Sequence, residues 1–192
     1  MFFGKKGTVL KSKWMVYILV TSIMIIWGLN VTAIKIIVSY LPSITITSLR
    51  IFMAFITISP FLFYSKLIRK LSRKELILIL FISITGVLFH HLFLAVGLSK
   101  TDASNAGLIL GAVPLTTSIF AVIILRERFT IHRLIGILFG ISGVSLIVLA
   151  GSEGGLNLRI GDVYIVLSVI AQAISFILIK LASKTLDIRF IT

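Results

Sequence analysis

The sequence predicts an all-α fold, a polytopic bundle of six transmembrane helices. Three observations predict it. Of 192 residues, 58% are apolar and only 13% charged, against roughly a quarter charged in a soluble domain. The mean hydropathy is +1.17, more apolar surface than one small core can hide. The few charges fall between long apolar runs, and the runs separate basic-rich from basic-poor connections in strict alternation.

The first run, residues 14–34, follows Lys5, Lys6, Lys11 and Lys13. A signal peptide starts in the same way, but its apolar stretch covers only about 7–15 residues and ends in a small-residue cleavage site. This run is longer and lacks such a site, so it reads as an uncleaved span. The second run covers residues 42–65 and is interrupted only by Arg50. The others cover 76–99, 103–125, 134–151 and 163–179. Each approaches the roughly 20 residues that carry a helix across a bilayer core. An isolated apolar segment in lipid must be helical, because no water satisfies its backbone. Alternating strands of about 10 residues, the mark of a barrel, are not visible.

Basic residues set the expected orientation. The N-terminal arm has four, the second connection Lys66, Arg69, Lys70, Arg73 and Lys74, the fourth Arg126, Arg128 and Arg133, and the tail Lys184 and Arg189. The opposite side has only Lys100 and Arg159. The positive-inside rule places the N-terminus and the tail in the cytoplasm, with the protein multi-pass in the inner cell membrane. It accounts for the net charge of +13 without a nucleic-acid partner. Trp14, Tyr17 and Tyr64 near the inner surface, and Tyr40 and Tyr164 near the outer, suit an aromatic belt. Gly107 and Gly111, and Gly136 and Gly140 with Gly143, form small-residue stripes expected to pack helix against helix.

A shift of 145 residues brings Ile34, Lys35, Leu41, Ile46 and Thr47 onto identical residues at Ile179, Lys180, Leu186, Ile191 and Thr192. The sixth span then repeats the first, five helices later. An odd repeat length inverts the second copy, the plan of many secondary transporters. The expected division is a basic arm (1–13), a first five-helix repeat (14–150), an outer loop (151–160) and the truncated start of a second repeat (161–192).

Three stretches carry a family resemblance. They are Trp27-Gly28-Leu29-Asn30 with Lys35, Pro42 and Arg50; the run from Gly97 through Thr101, Asp102 and Asn105 to Pro114; and Leu125-Arg126-Glu127-Arg128-Phe129-Thr130 followed by Leu134-Ile135-Gly136 and Gly140 to Gly143. In order and spacing they resemble one repeat of the EamA family of the drug/metabolite transporter superfamily. The resemblance implies two inverted five-helix repeats around a central substrate path, and export of a small metabolite, amino acid or drug. The chain reads as a little more than half of such a transporter. Its partners would be the lipid bilayer, a small-molecule substrate, and a second half or a second copy of itself. The alternative is a non-transporting membrane protein or an inactive truncation.

Ionisable residues inside spans are the default functional candidates, because their burial is costly. Lys35 and Arg50 occupy the outer thirds of the first two spans. They either form a positive vestibule for carboxylates or phosphates, or snorkel and pair structurally. His90 and His91 lie about two-thirds of the way across the third span; His90 either relays protons or bonds a neighbouring helix. Trp27 and Asn30 share a face, and Gln172 meets Trp27 under the repeat; they line the path or make interhelical hydrogen bonds. Asn105 and Pro114 belong to the fourth span, where the proline frees the Leu110 carbonyl and either hinges or shapes the helix. Glu127 reads as a cytoplasmic structural residue, pairing locally or fixing the next helix, with Thr130 as its N-cap. No acidic residue lies deep in a span, so the buried carboxylate wanted by a proton-coupled exporter of cations is missing.

Enzyme chemistry finds little support. The chain has no cysteine, which rules out thiol catalysis and cysteine-based metal sites. The three histidines are His90, His91 and His132, the last outside the helix of the other two, and no metal or other cofactor is implied. Gly140-Ile141-Ser142-Gly143 has the letters of an intramembrane serine-protease motif, but no histidine follows His132 to act as base.

Overall fold

The structure is a computed structural model. It describes residues 13–64, 71–127, 130–131, 134–136, 138–140, 142 and 159–183, without the side chains of 13 and 61–64. Helix α1 is Lys13–Ile37 and α2 is Ser43–Tyr64. Helix α3, Arg73–Ile82, runs through a π-helical segment, Ser83–Phe89, into α4, His90–Lys100. Then come α5, Ala103–Leu110, α6, Val113–Leu125, and α7, Ile160–Ala182. Five stretches are long and apolar enough to cross a membrane: Trp14–Ile37, Ser43–Pro60, Arg73–Lys100, Ala103–Leu125 and Ile160–Ala182. Most of the predicted fifth span lies outside the described residues. Those described within it, 134–136, 138–140 and 142, are helical.

The helices outrun the apolar stretches that predicted them. Charge ends a hydropathy run but not a helix, so Lys35 falls in the last turn of α1 and Lys180 in the last turn of α7. Asp162 falls in the first turn of α7. Helix α3 starts early because Ser72 and Glu75 close a capping box: the Glu75 amide donates to the Ser72 hydroxyl (3.3 Å) and the Ser72 amide to the Glu75 carboxylate (2.8 Å).

Polar contacts fix the direction of each helix. At one end of the bundle the C-terminal turn of α1 meets the end of α4, and the starts of α5 and α7 join it through Asp102 and Asp162. At the other end Glu127, just past α6, pairs with Lys180 near the end of α7. Helices α1 and α7 are therefore antiparallel. The chain between Glu127 and Arg159 leaves from one end of the bundle and returns at the other.

Helix α7 is the axis of the packing. The buried core joins Val31 and Ile34 of α1, Leu94 and Leu98 of α4, Ala106 and Leu110 of α5 and Val113 of α6 to Ile165 and Val169 of α7. The rest of α1 and most of α2 turn apolar faces outward, with Trp14, Ile26, Leu29 and Phe55 all open to the surroundings. In a bilayer those faces meet lipid.

Among the described residues the glycine stripes do not make the closest helix contacts, and Gly143 lies outside those residues. Among the described residues, nothing stands within 4 Å of where a β-carbon would sit on Gly107 or Gly136, and Gly140 would meet only Leu115 at 3.7 Å. The close approaches lie elsewhere. Gly161 abuts the backbone of Lys100 and Thr101, Gly97 meets Ile165, and Gly86 meets Ser175. Four-residue spacing shows that a face is smooth, not that a partner covers it.

The predicted fourth span breaks. Helix α5 ends at Leu110, the Ala112 amide turns back to the Ile109 carbonyl (3.0 Å), and α6 restarts with Pro114 as its second residue. At that position the missing N–H of proline is no loss. Pro114 thus stands in the first turn of the second part of the stretch Ala103–Leu125, just after the tight turn at Gly111 and Ala112. Arg126 ends α6 in the left-handed region, φ 52°.

Candidate functional site

The end of the bundle where α1 and α4 finish is built around Thr101, which follows the last residue of α4. Lys35 donates to the carbonyls of Leu98 (2.8 Å) and Thr101 (2.7 Å). These carbonyls lack helical partners, and a cation there also complements the helix dipole. The hydroxyl of Thr101 donates to Asp162 at 2.5 Å. The other oxygen of Asp162 accepts the Arg159 amide at 3.0 Å. The Arg159 guanidinium reaches Asp102 at 2.5 Å, in an exposed pair. Thr101 is 1% exposed and Asp162 6%, so the centre of this network is shielded and its rim open. Both described contacts of Lys35 are thus with backbone carbonyls at the end of α4.

Arg50 is placed differently. Asn30 stands seven residues before Ile37, where α1 ends, and Arg50 seven residues after Ser43, where α2 begins. At 1.5 Å per residue both lie about 10 Å from those helix ends. The guanidinium donates to the Asn30 carbonyl oxygen at 3.3 Å, so it is held level rather than turned up to the surface. Both residues are half-buried. Helix α2 is fastened to α4 beside them, Ser43 donating to the Ala95 carbonyl (3.2 Å) and Thr47 to the His91 carbonyl (3.5 Å). Arg50 interacts electrostatically with His90 and His91.

The two histidines diverge, as adjacent helical residues must. The His90 ring faces α7, its Nδ1 lying 2.8 Å from the Ser168 hydroxyl and 3.2 Å from the Ser168 carbonyl, while that hydroxyl also lies 3.0 Å from the His90 carbonyl. One assignment satisfies all three contacts: Nδ1–H donates to Ser168, and the Ser168 hydroxyl donates to the His90 carbonyl. His90 is a buried link between helices, 5% exposed. The His91 ring lies at right angles to it, 5.0 Å between centroids. Its buried Nδ1 meets no hydrogen-bond partner among the described residues.

The remaining candidates are dispersed. Trp27 lines a cavity of about 360 Å³ between α1 and α5, with Gly28, Val31, Ser104, Gly107 and Gly111. Pro114 lines a second of about 430 Å³ between α6 and α7, with Glu127 and Lys180. Glu127 pairs with Lys180, 53 residues away. The Thr130 carbonyl accepts the Leu134 amide at 3.1 Å, at the start of the next helical residues. Asn105 and Gln172 are half-buried and make no side-chain hydrogen bond among the described residues. Ser142, from the protease-like motif, is exposed and bonds back to Phe139 at 3.0 Å. His132 lies outside the described residues, which hold no cluster of metal-ligating side chains.

Sequence reasoning missed Asp162 by searching for acids only deep in the spans. An aspartate three residues after Arg159, opening an apolar run, was a readable helix-start signal.

This bundle, with its polar groups on facing helices, can be set beside known proteins. The family described as EamA-like transporter matches residues 14–149. The chain belongs to the EamA-like transporter family. It is 30% identical over 187 residues to the uncharacterized transporter YetK of Bacillus subtilis, which covers 95% of this chain and 57% of that protein. It is 32% identical over 162 residues to an uncharacterized transporter of Archaeoglobus fulgidus, covering 84% and 55%. A shorter match, 36% identical over 80 residues, joins it to the uncharacterized transporter YyaM of Bacillus subtilis. The chain spans little more than half the length of the first two. No solved structure matches it. As an EamA-like chain it is a multi-pass membrane protein, and the exposed apolar faces of α1 and α2 are lipid-contacting surfaces.

Proposed function

We propose that this chain is the first repeat of a secondary transporter, with the opening helix of an inverted second repeat, and that it exports a small polar metabolite from the cytoplasm. The observation that carries this reading is the Asn30–Arg50 pair, level at about 10 Å depth, on two helices that otherwise show apolar faces. Most other polar groups of the bundle interior are committed to backbone or to one another, as Lys35, Thr101, Asp162, His90 and Ser168 are. Among the described residues, the pair, with His91 beside it, is the charged group left to meet a solute, and Asn105 and Gln172 are uncommitted amides.

Two features support the repeat. Helix α7 runs antiparallel to α1, the relation an inverted copy requires. The repeat-related lysines, Lys35 and Lys180, occupy the last turns of α1 and α7, and each reaches the end of a neighbouring span. The basic segments flank the end of the bundle where α1 starts and α7 finishes, which favours a cytoplasmic N-terminus.

The test is export of a radiolabelled panel of amino acids and small metabolites from cells expressing the chain, alone and extended by a second repeat. Efflux above the empty-vector rate by either version supports the reading. Efflux by neither, with both proteins present in the membrane, contradicts it.

A further inference from the structure

We propose that Arg50 is the binding group for an oxyanion, so that the transported metabolite carries a carboxylate or phosphate which Asn30 helps to align. The proposal rests on the transporter reading and deepens it.

A guanidinium carries five N–H donors and no acceptor. Among the described residues Arg50 uses them on one acceptor, the Asn30 side chain at 3.3 Å. The ion pairs among the described residues lie at the two ends of the bundle, Arg159 with Asp102 and Lys180 with Glu127; none involves Arg50. A cation held within a membrane without a counter-ion is costly, and its neighbours add none: Asn30 is neutral, and His90 and His91 contribute zero or positive charge. The planar fork of arginine matches the two oxygens of a carboxylate or phosphate. A solute bearing one would supply the missing charge and acceptors together.

The same observations narrow the choice. Lys35, the other basic residue in this part of α1 and α2, donates to two backbone carbonyls, so it steadies α4 and leaves Arg50 as the anion's partner. A lipid phosphate would sit at the membrane surface and draw the side chain outward. Arg50 instead lies level with Asn30, which favours a soluble anion arriving by an aqueous path.

The experiment is thermal stabilisation of the purified chain in phospholipid-free detergent. The probes are amino acids and small mono- and dicarboxylates, their uncharged amides, inorganic phosphate and glycerol phosphate. The proposal expects at least one anionic probe to raise the melting temperature while its amide does not. Arg50→Gln should weaken that response about tenfold or more, Arg50→Lys less, and Asn30→Ala a few-fold. Unliganded melting of each variant shows whether it is folded. Equal responses to acids and amides, or a response that survives Arg50→Gln in a folded variant, would overturn the proposal while leaving transport of a neutral solute intact. Stabilisation only by anionic phospholipid vesicles would assign Arg50 to lipid. No response from any probe, in a folded chain that the efflux assay shows to export, would also overturn it.

Discussion

Thr101 donates its hydroxyl to Asp162 at 2.5 Å while its carbonyl accepts from Lys35 at 2.7 Å. One residue thereby ties the end of α4 to the start of α7 and the last turn of α1. The hydrogen bond is buried, so losing it leaves a desolvated carboxylate oxygen. Such losses cost about 1–3 kcal/mol. Thr101→Val and Asp162→Asn should each lower stability by that order, and the double variant should cost less than the sum of the two. Thermal unfolding in detergent, arranged as a double-mutant cycle, measures the coupling.

Lys35 closes the α4 end with a charge-assisted pair of bonds. Lys35→Met should destabilise the protein by about 1–2 kcal/mol, since the carbonyls lose their donor and the helix dipole its cation. Protease resistance of the α4–α5 junction would fall with it. An unchanged melting temperature would show that the lysine is not structurally engaged.

The glycine contacts separate two kinds of crowding. Gly86→Ala places a methyl against the side chain of Ser175, and Gly161→Ala places one against the backbone of Lys100 and Thr101. Both should destabilise by about 1–3 kcal/mol. Adding Ser175→Gly should recover part of the first loss. No side-chain change can recover the second, because backbone cannot be trimmed. Paired melting curves of the single and double variants decide it.

His90 and Ser168 supply a spectroscopic prediction. The hydrogen bonds place the proton of a neutral His90 ring on Nδ1. Ring ¹⁵N shifts from histidine-labelled protein should report that tautomer. Ser168→Ala should shift the His90 resonances and cost about 1 kcal/mol. The opposite tautomer would contradict the assignment.

Much of the fold was legible because lipid leaves the chain few options: an apolar run must be helical, and basic connections must alternate. The site was less legible. Asn30, Lys35 and Arg50 stood out as polar residues in apolar runs, but spacing along a chain cannot say that Lys35 meets carbonyls some sixty residues away while Arg50 hydrogen-bonds Asn30. Pro114 marked the place of the turn at Gly111 and Ala112, but not the i–3 bond that forms there. The π segment, where Gly86 meets Ser175 of α7, has no counterpart in the apolar periodicity.

A chain without cysteine permits a direct test for an aqueous path at the level of Arg50. Single-cysteine variants Asn30→Cys and Leu29→Cys place thiols on adjacent residues of α1, one beside Arg50 and one on a face 65% exposed and directed to lipid. In membranes treated with a charged, membrane-impermeant thiosulfonate, the cysteine at 30 should react and the one at 29 should not, and an anionic reagent should outpace a cationic one. Equal reactivity at both positions, or none at position 30, would contradict a water-accessible substrate path beside Asn30 and Arg50.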